Sequence, residues 1–108
     1  MAVSEDDITF ALELLSGVGP LTTRKMMGGL CIYCDGVIFA LLYSDGQLFL
    51  KAQGDFVPRI EELGGERWTY QREGKKPVSM PYWTLPDAYL DDPDEAAALA
   101  REALRHLQ

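Results

Sequence analysis

The sequence predicts a two-layer α+β fold: an antiparallel sheet of about five strands backed by helices, in the order α-βββ-α-ββ-α, with residues 1–108 forming one domain. Three observations carry this expectation. Three separated segments place apolar residues at helical spacing. The stretches between them are rich in β-branched and aromatic residues. Two Asp-Gly pairs, Asp35-Gly36 and Asp45-Gly46, mark tight turns that need positive φ between antiparallel strands.

Taken in order, Ser4 followed by Asp7 resembles a capping box, and Ile8, Ala11, Leu12 and Leu15 share one face, so a first helix is expected over about 4–16. Gly17, Gly19 and Pro20 break it. A three-stranded meander follows, over roughly 23–34, 37–43 and 47–52, its turns set by the two Asp-Gly pairs. In its third strand Leu48, Leu50 and Ala52 share one face, while Gln47, Phe49 and Lys51 share the other. Asp55 is a candidate cap for a second helix with Phe56, Ile60 and Leu63 on its apolar stripe, ended by Gly64-Gly65. Arg67 to Glu73 and Pro77 to Trp83 read as two more strands joined around Gly74. Asp92-Pro93-Asp94-Glu95 then supplies a cap, a proline at the first helical position and first-turn acids. The final helix runs to about 107, with Ala96, Leu99, Ala100, Ala103, Leu104 and Leu107 facing the core.

Composition narrows the function classes. With 47% apolar and 25% charged residues, the chain reads as an ordinary globular domain. The acidic start MAVSEDD is unlike a signal peptide, and the longest apolar run, Val37 to Tyr43, is far too short to span a bilayer. No membrane partner and a cytoplasmic location are expected; two cysteines alone fit a reducing compartment. The net charge of -7 resides at the ends, because residues 1–20 contribute -4, residues 91–108 contribute -3, and the middle sums to zero. A chain so charged repels a polyanion, so tight direct nucleic-acid binding is not expected.

The densest chemistry lies in RKMMGGLCIYC, residues 24–34. Its C-x-x-C could be a zinc half-site or a redox pair, yet structural zinc needs about four ligands. Beyond Cys31 and Cys34 the chain offers only the distant His106. A redox cysteine sits best at a helix N-terminus, whereas these lie in a strand pattern and point to opposite faces; two small apolar fillers are the expectation. Gly28-Gly29 lacks phosphate-loop spacing and suggests a bulge or close backbone approach, with a bend that curls the first strand over the core. Arg24, Lys25, Lys51, Arg72, Lys75 and Lys76 could form one positive patch, or be solvated strand and turn charges. Tyr70, Tyr82, Trp83 and Tyr89 suit both covering one end of the sheet and meeting a ligand or partner. With one histidine, no G-x-S-x-G and no H-E-x-x-H, no catalytic constellation is found and no cofactor is implied.

The ordered segments FALELL, GPLTTRKMMGG, CDGVIFALLYSDGQLFLK and WTYQREGKKPVSMPYWTLP, with an Ala- and Leu-rich closing helix, resemble the N-terminal domain of the TfoX (Sxy) competence-regulator family over about residues 8–106. R-K-M-x-G-G and K-P-V-S-M-x-Y-x-x-L-P carry most of the likeness; the family commonly shows an aromatic where Met27 stands. The resemblance implies a sheet backed by helices, similar to the type-III secretion chaperone fold. It also implies a regulatory role: full-length members act as coactivators of DNA-uptake genes with a cyclic-AMP receptor protein, and carry a further C-terminal helical domain that this sequence does not reach. No catalytic residues carry over. The motifs nominate Arg24, Lys25, Met26, Gly28 and Gly29, with Lys76, Pro77, Met80, Tyr82 and Pro86, as residues that shape and present a partner-binding surface.

The expectation is therefore a non-enzymatic regulatory module that binds a protein partner, a transcription factor being one candidate. The alternative is a small anionic ligand-binding domain in which the aromatic segment and the basic hairpin close over a metabolite. A thiol oxidoreductase would need a reactive, low-pKa cysteine. Helices on one side of the sheet leave its other face, with Cys31 and Tyr33 outward, as an apolar patch, so a homodimer joined near that face is also expected.

Overall fold

The computed structural model describes residues 3–26, 28–70, 74–76 and 78–107, with only the backbone of Tyr70. Pro77, Arg72 and Met27, singled out above, lie outside the described residues. Helix α1 (Glu5–Leu14) starts at Ser4, whose hydroxyl accepts a hydrogen bond from the Asp7 N–H at 3.1 Å. Glu5, Asp6 and Asp7 stand in its first turn, where the helix dipole favours acids. A 3-10 turn, Ser16–Val18, leads into strand β1 (Leu21–Met26). Then come β2 (Gly29–Cys34), β3 (Val37–Leu42), β4 (Leu48–Lys51), helix α2 (Phe56–Glu62), β5 (Arg67–Tyr70), β6 (Val78–Thr84), a 3-10 turn at Asp87–Tyr89 and helix α3 (Pro93–Arg105). Asp92 caps α3 by accepting from the Glu95 N–H at 3.2 Å, with Pro93 at the first helical position.

The α+β class holds, and the sheet is antiparallel in the order β1-β2-β3-β4-β6-β5. Six described strands replace the expected five. The segment read as one bent strand over 23–34 is a hairpin, β1 to β2, in which Met26 stands opposite Gly29. Gly28 turns the chain with φ 76°, and the glycine pair thus ends one strand and starts the next. Of the two readings of that pair, close approach holds at Gly29: a Cβ there would lie 2.6 Å from the Leu42 carbonyl oxygen. At Asp35-Gly36 both residues have positive φ, 51° and 80°, as a two-residue hairpin turn requires. At the second Asp-Gly, Gly46 has φ 88° and Asp45 accepts from the Gln47 N–H. Asp55 differs from expectation: its side chain makes no capping bond, and the entry to α2 is closed by the backbone bonds of Phe56 to Gln53 and Val57 to Gly54.

A bulge decides which side chains of β3 point where. Ile32 pairs with Ala40 but Tyr33 with Ile38, so Phe39 is the extra residue of the ladder. Phe39 and Ala40 both enter the helix-side core, while Ile38 and Leu41 go to the other face. The helix-side core joins Ala11, Leu14 and Leu15, then Phe56 and Ile60, then Ala96, Leu99 and Ala100, to Leu30, Ile32, Leu48, Leu50 and Trp83 of the sheet. All three helices thus cover one face. Trp83 is anchored there: its indole N–H donates to the Glu61 carboxylate at 2.9 Å, and the Arg67 guanidinium lies 4.9 Å from its ring centroid.

Candidate partner-binding face

The face without helices carries its own apolar cluster. Cys31, Leu41, Phe49 and Tyr82 are buried at its centre, and Tyr33, Ile38, Tyr43, Trp68 and Met80 pack half-buried around them. Pairing places the row explicitly, because directly opposed residues of an antiparallel pair share a face: Arg24 opposes Cys31, Cys31 opposes Leu41, and Leu41 opposes Phe49.

The face is concave. Strands are spaced about 4.8 Å apart, so backbones three strands apart on a flat sheet lie roughly 14 Å from one another. Yet the Trp68 ring of β5 lies 5.3 Å from Tyr43, at the end of β3, and 5.6 Å from Phe49. Curvature closes the aromatic rim over the centre. Cys31 is consequently only 1% exposed and Tyr82 7%. Apolar groups do occupy the second face, and their centre is shielded by the rim.

Burial sets the electrostatics. It pushes the Tyr82 phenol up to about 12, with the neighbouring Cys31 and Tyr33 adding to the shift. Burial also raises the Cys31 thiol, opposed by the Arg24 guanidinium, and raises Cys34, with Asp35 adding to it. Both thiols are free and buried on opposite faces, and their shifts run against the lowered pKa that thiol catalysis requires. Among the described residues no group of three or more His, Cys, Asp and Glu side chains is placed to hold a metal ion.

The nominated residues divide among three places. Arg24 and, two residues on, Met26 face the concave side from edge strand β1; Met80 and Tyr82 belong to the aromatic cluster itself. Lys25 opposes Leu30, on the helix side, and with Met26, Gly28 and Gly29 borders a small apolar cleft against Val3 and Ile8 of the N-terminal segment. Lys76 is exposed in the β5–β6 connection. Pro86 is buried beside a cleft of about 360 Å³ lined by Gln47, Leu63, Glu66, Thr84 and Asp87 among others. Among the described residues that cleft presents two carboxylates and no base, which does not suit an anion. The described bases are also spread along the strand order: Arg24 and Lys25 lie on β1, at one edge of the sheet, Lys51 on β4, and Lys75 and Lys76 in the connection between β5 and β6, the last two strands at the other edge.

Among the aromatics weighed from sequence, Trp83 and Tyr89 belong to the helix-side core. The missed contributor is Trp68. Its strand alternates polar and aromatic residues without an apolar run to show which set is inward, and the β5–β6 ladder is irregular between Arg67 and Thr69. Period-two alternation from Cys31 to Tyr33, and from Gln47 to Lys51, did place Tyr33 and Phe49 on this face.

The molecule is thus a sheet with one helix-covered face and one concave, aromatic face bordered by a basic edge strand. It belongs to the TfoX N-terminal domain family, whose model matches residues 13–107. The DNA transformation protein TfoX1 of Aliivibrio fischeri is 25% identical over 89 residues, which cover 82% of this chain and 42% of that protein. The chain therefore spans less than half the length of this relative. No helix among the described residues is long and apolar enough to cross a membrane.

Proposed function

We propose that this chain is a non-enzymatic regulatory module in the control of DNA transformation, acting through a protein partner, a transcription factor in the first instance, held on the concave sheet face. One observation carries the reading: residues of both family motifs, Arg24 from the first and Met80 and Tyr82 from the second, share that face although they are far apart in sequence. Aromatic side chains beside an arginine are the composition of interaction hot spots. Affinity capture with the parent chain and with Arg24→Glu and Met26→Glu tests it, since both side chains are exposed and their replacement leaves the core intact. The expected result is one protein held at near-stoichiometric level by the parent and lost by both variants. Capture of nothing, or capture indifferent to both substitutions, refutes it.

Self-association through the same face is a second reading, favoured by Met26, which is 41% exposed at the end of the edge strand. Two-fold dimers are the commonest way a small protein covers such a surface. Sedimentation at tens of micromolar showing only a 12.1 kDa species would remove it.

A further inference from the structure

The helix layer carries a groove of opposite character. It has a volume of about 310 Å³ and is lined by Phe10, Glu13 and Leu14 of α1 and by Leu90, Asp91 and Pro93 at the start of α3. This is at the low end of the roughly 300–1,000 Å³ range of clefts that hold ligands. Phe10 is 47% exposed, whereas Leu14 is buried and Leu90 packs against the core, so the groove has an apolar floor and an aromatic wall open to water. A lone exposed apolar residue is ordinary on a protein surface. Its setting is what distinguishes Phe10.

The acids of the two chain ends converge here, because α1 and α3 pack against each other. Residues 1–20 contain four acids and no base. Asp6 and Glu13 lie four residues before and three after Phe10, on the same helix face. Some neighbouring carboxylates are engaged elsewhere: Asp92 caps α3, and Asp7 lies against Gly46. Glu13 and Asp91 make no ion pair with any described residue. The closest arginine along α3, Arg101, is held by the Gly17 carbonyl at 2.7 Å.

From this we infer that the groove docks a protein segment bearing Arg or Lys beside aliphatic side chains. The cation lies over the Phe10 ring between Glu13 and Asp91, and the aliphatic groups rest on Leu14, Leu90 and Pro93. A cation over an aromatic face gains from the ring quadrupole, and two unpaired carboxylates beside it add charge complementarity that an acidic or phosphate-bearing partner could not use.

The test is an NMR titration of the intact, isotope-labelled chain at about 0.15 M salt, where charges more than about 8 Å apart are screened. Three probes are compared: a synthetic peptide with Arg and Leu at helical spacing, its Glu-for-Arg counterpart, and oligo-arginine. The Arg-Leu peptide should shift the Phe10 ring and the backbone signals of Glu13, Leu14, Leu90 and Asp91, and the Glu peptide should shift none. Phe10→Ala should weaken binding about tenfold, as loss of a hot-spot side chain does. The double variant Glu13→Gln, Asp91→Asn, which leaves the apolar floor untouched, should weaken it severalfold. Shifts on another surface, an unchanged Kd in either variant, or equal binding of oligo-arginine would overturn the inference. The surface is separate from the concave sheet face, so the two readings fail independently: Arg24→Glu should leave this titration unaltered.

Discussion

Replacing Gly29 with alanine tests the geometry that joins the first family motif to the sheet. A Cβ at that position would stand 2.6 Å from the backbone carbonyl oxygen of Leu42, about 0.8 Å inside the 3.4 Å at which ordinary contact begins. The obstructing atom belongs to a strand whose next pair, Leu30 with Leu42, is part of the central ladder, so no flexible side chain can swing away. Relief must come from separating β2 from β3 or from tilting the hairpin. Overpacking of this kind costs about 1–3 kcal/mol, and a backbone obstacle belongs at the upper end. At about 4–8 °C per kcal/mol for a domain near this size, the melting temperature should fall by roughly 10–20 °C. Gly36→Ala is the matched comparison. Nothing stands within 4 Å of its Cβ position, but φ is 80°, so only the left-handed backbone conformation is penalised, by about 1–2 kcal/mol. Thermal melts followed by circular dichroism should rank Gly29→Ala below Gly36→Ala. A Gly29→Ala protein within about 0.5 kcal/mol of the parent would refute the close-approach argument, since that is the ordinary scatter of harmless substitutions.

Three further outcomes are expected. Because the Tyr82 phenol is raised to about 12, the folded chain keeps its proton after the unfolded chain, near its ordinary value of 10, has lost it. Stability from this group is therefore intact below about pH 10 and declines by up to about 1.4 kcal/mol per pH unit until about pH 12. Urea melts across that window should show the decline in the parent and a shallower one in Tyr82→Phe. Cys31 and Cys34, buried and raised, should resist alkylation by iodoacetamide near neutral pH and react only in denaturant, as mass spectrometry would record; rapid native labelling of either thiol contradicts the burial. Asp92→Ala removes the acceptor of the Glu95 N–H and should cost about 1 kcal/mol in a urea melt, with Asp92→Asn largely restoring it.

Local chemistry made the element order legible. Ser4, Asp92 and Pro93 are read from residue type because a cap satisfies backbone groups within its own turn, and the structure uses all three. Asp55 has the same residue type at a helix start but makes no side-chain cap, because backbone bonds close that turn. The hairpin at Gly28 was hidden for a different reason. The segment from Leu21 to Cys34 contains no Asp-Gly or Asn-Gly to announce a turn, and a glycine pair in a β-rich run is equally compatible with a bulge. Curvature was out of reach altogether. It depends on strand order and on the extra residue at Phe39, and neither leaves a mark in a single sequence. Hence the aromatic face could be foreseen strand by strand at Tyr33 and Phe49, while the meeting of Trp68 with Tyr43 across the sheet could not.

The structure also separates what the two motifs do for the fold from what they leave free for a partner. Gly28 and Gly29 are accounted for by a positive φ and by a carbonyl at close range, and Pro86 is buried beside the helix-side core. These three would be required even if the domain bound nothing. Met80 and Tyr82, two residues apart, both enter the aromatic cluster, where their first service is to cover Cys31, Leu41 and Phe49. Arg24 and Met26 are different. Both are exposed on an edge strand, where a large apolar side chain is a liability that charged residues ordinarily replace. If a partner occupies the concave face as proposed, its contact with the first motif falls on these two side chains, with the half-buried rim of Tyr33, Trp68 and Met80 completing the surface. Substitution of the glycines would then lower binding only in proportion to lost folding. Substitution of Arg24 or Met26 would lower binding at unchanged stability, and that separation of binding from stability distinguishes a motif that serves a partner from one that serves only the sheet.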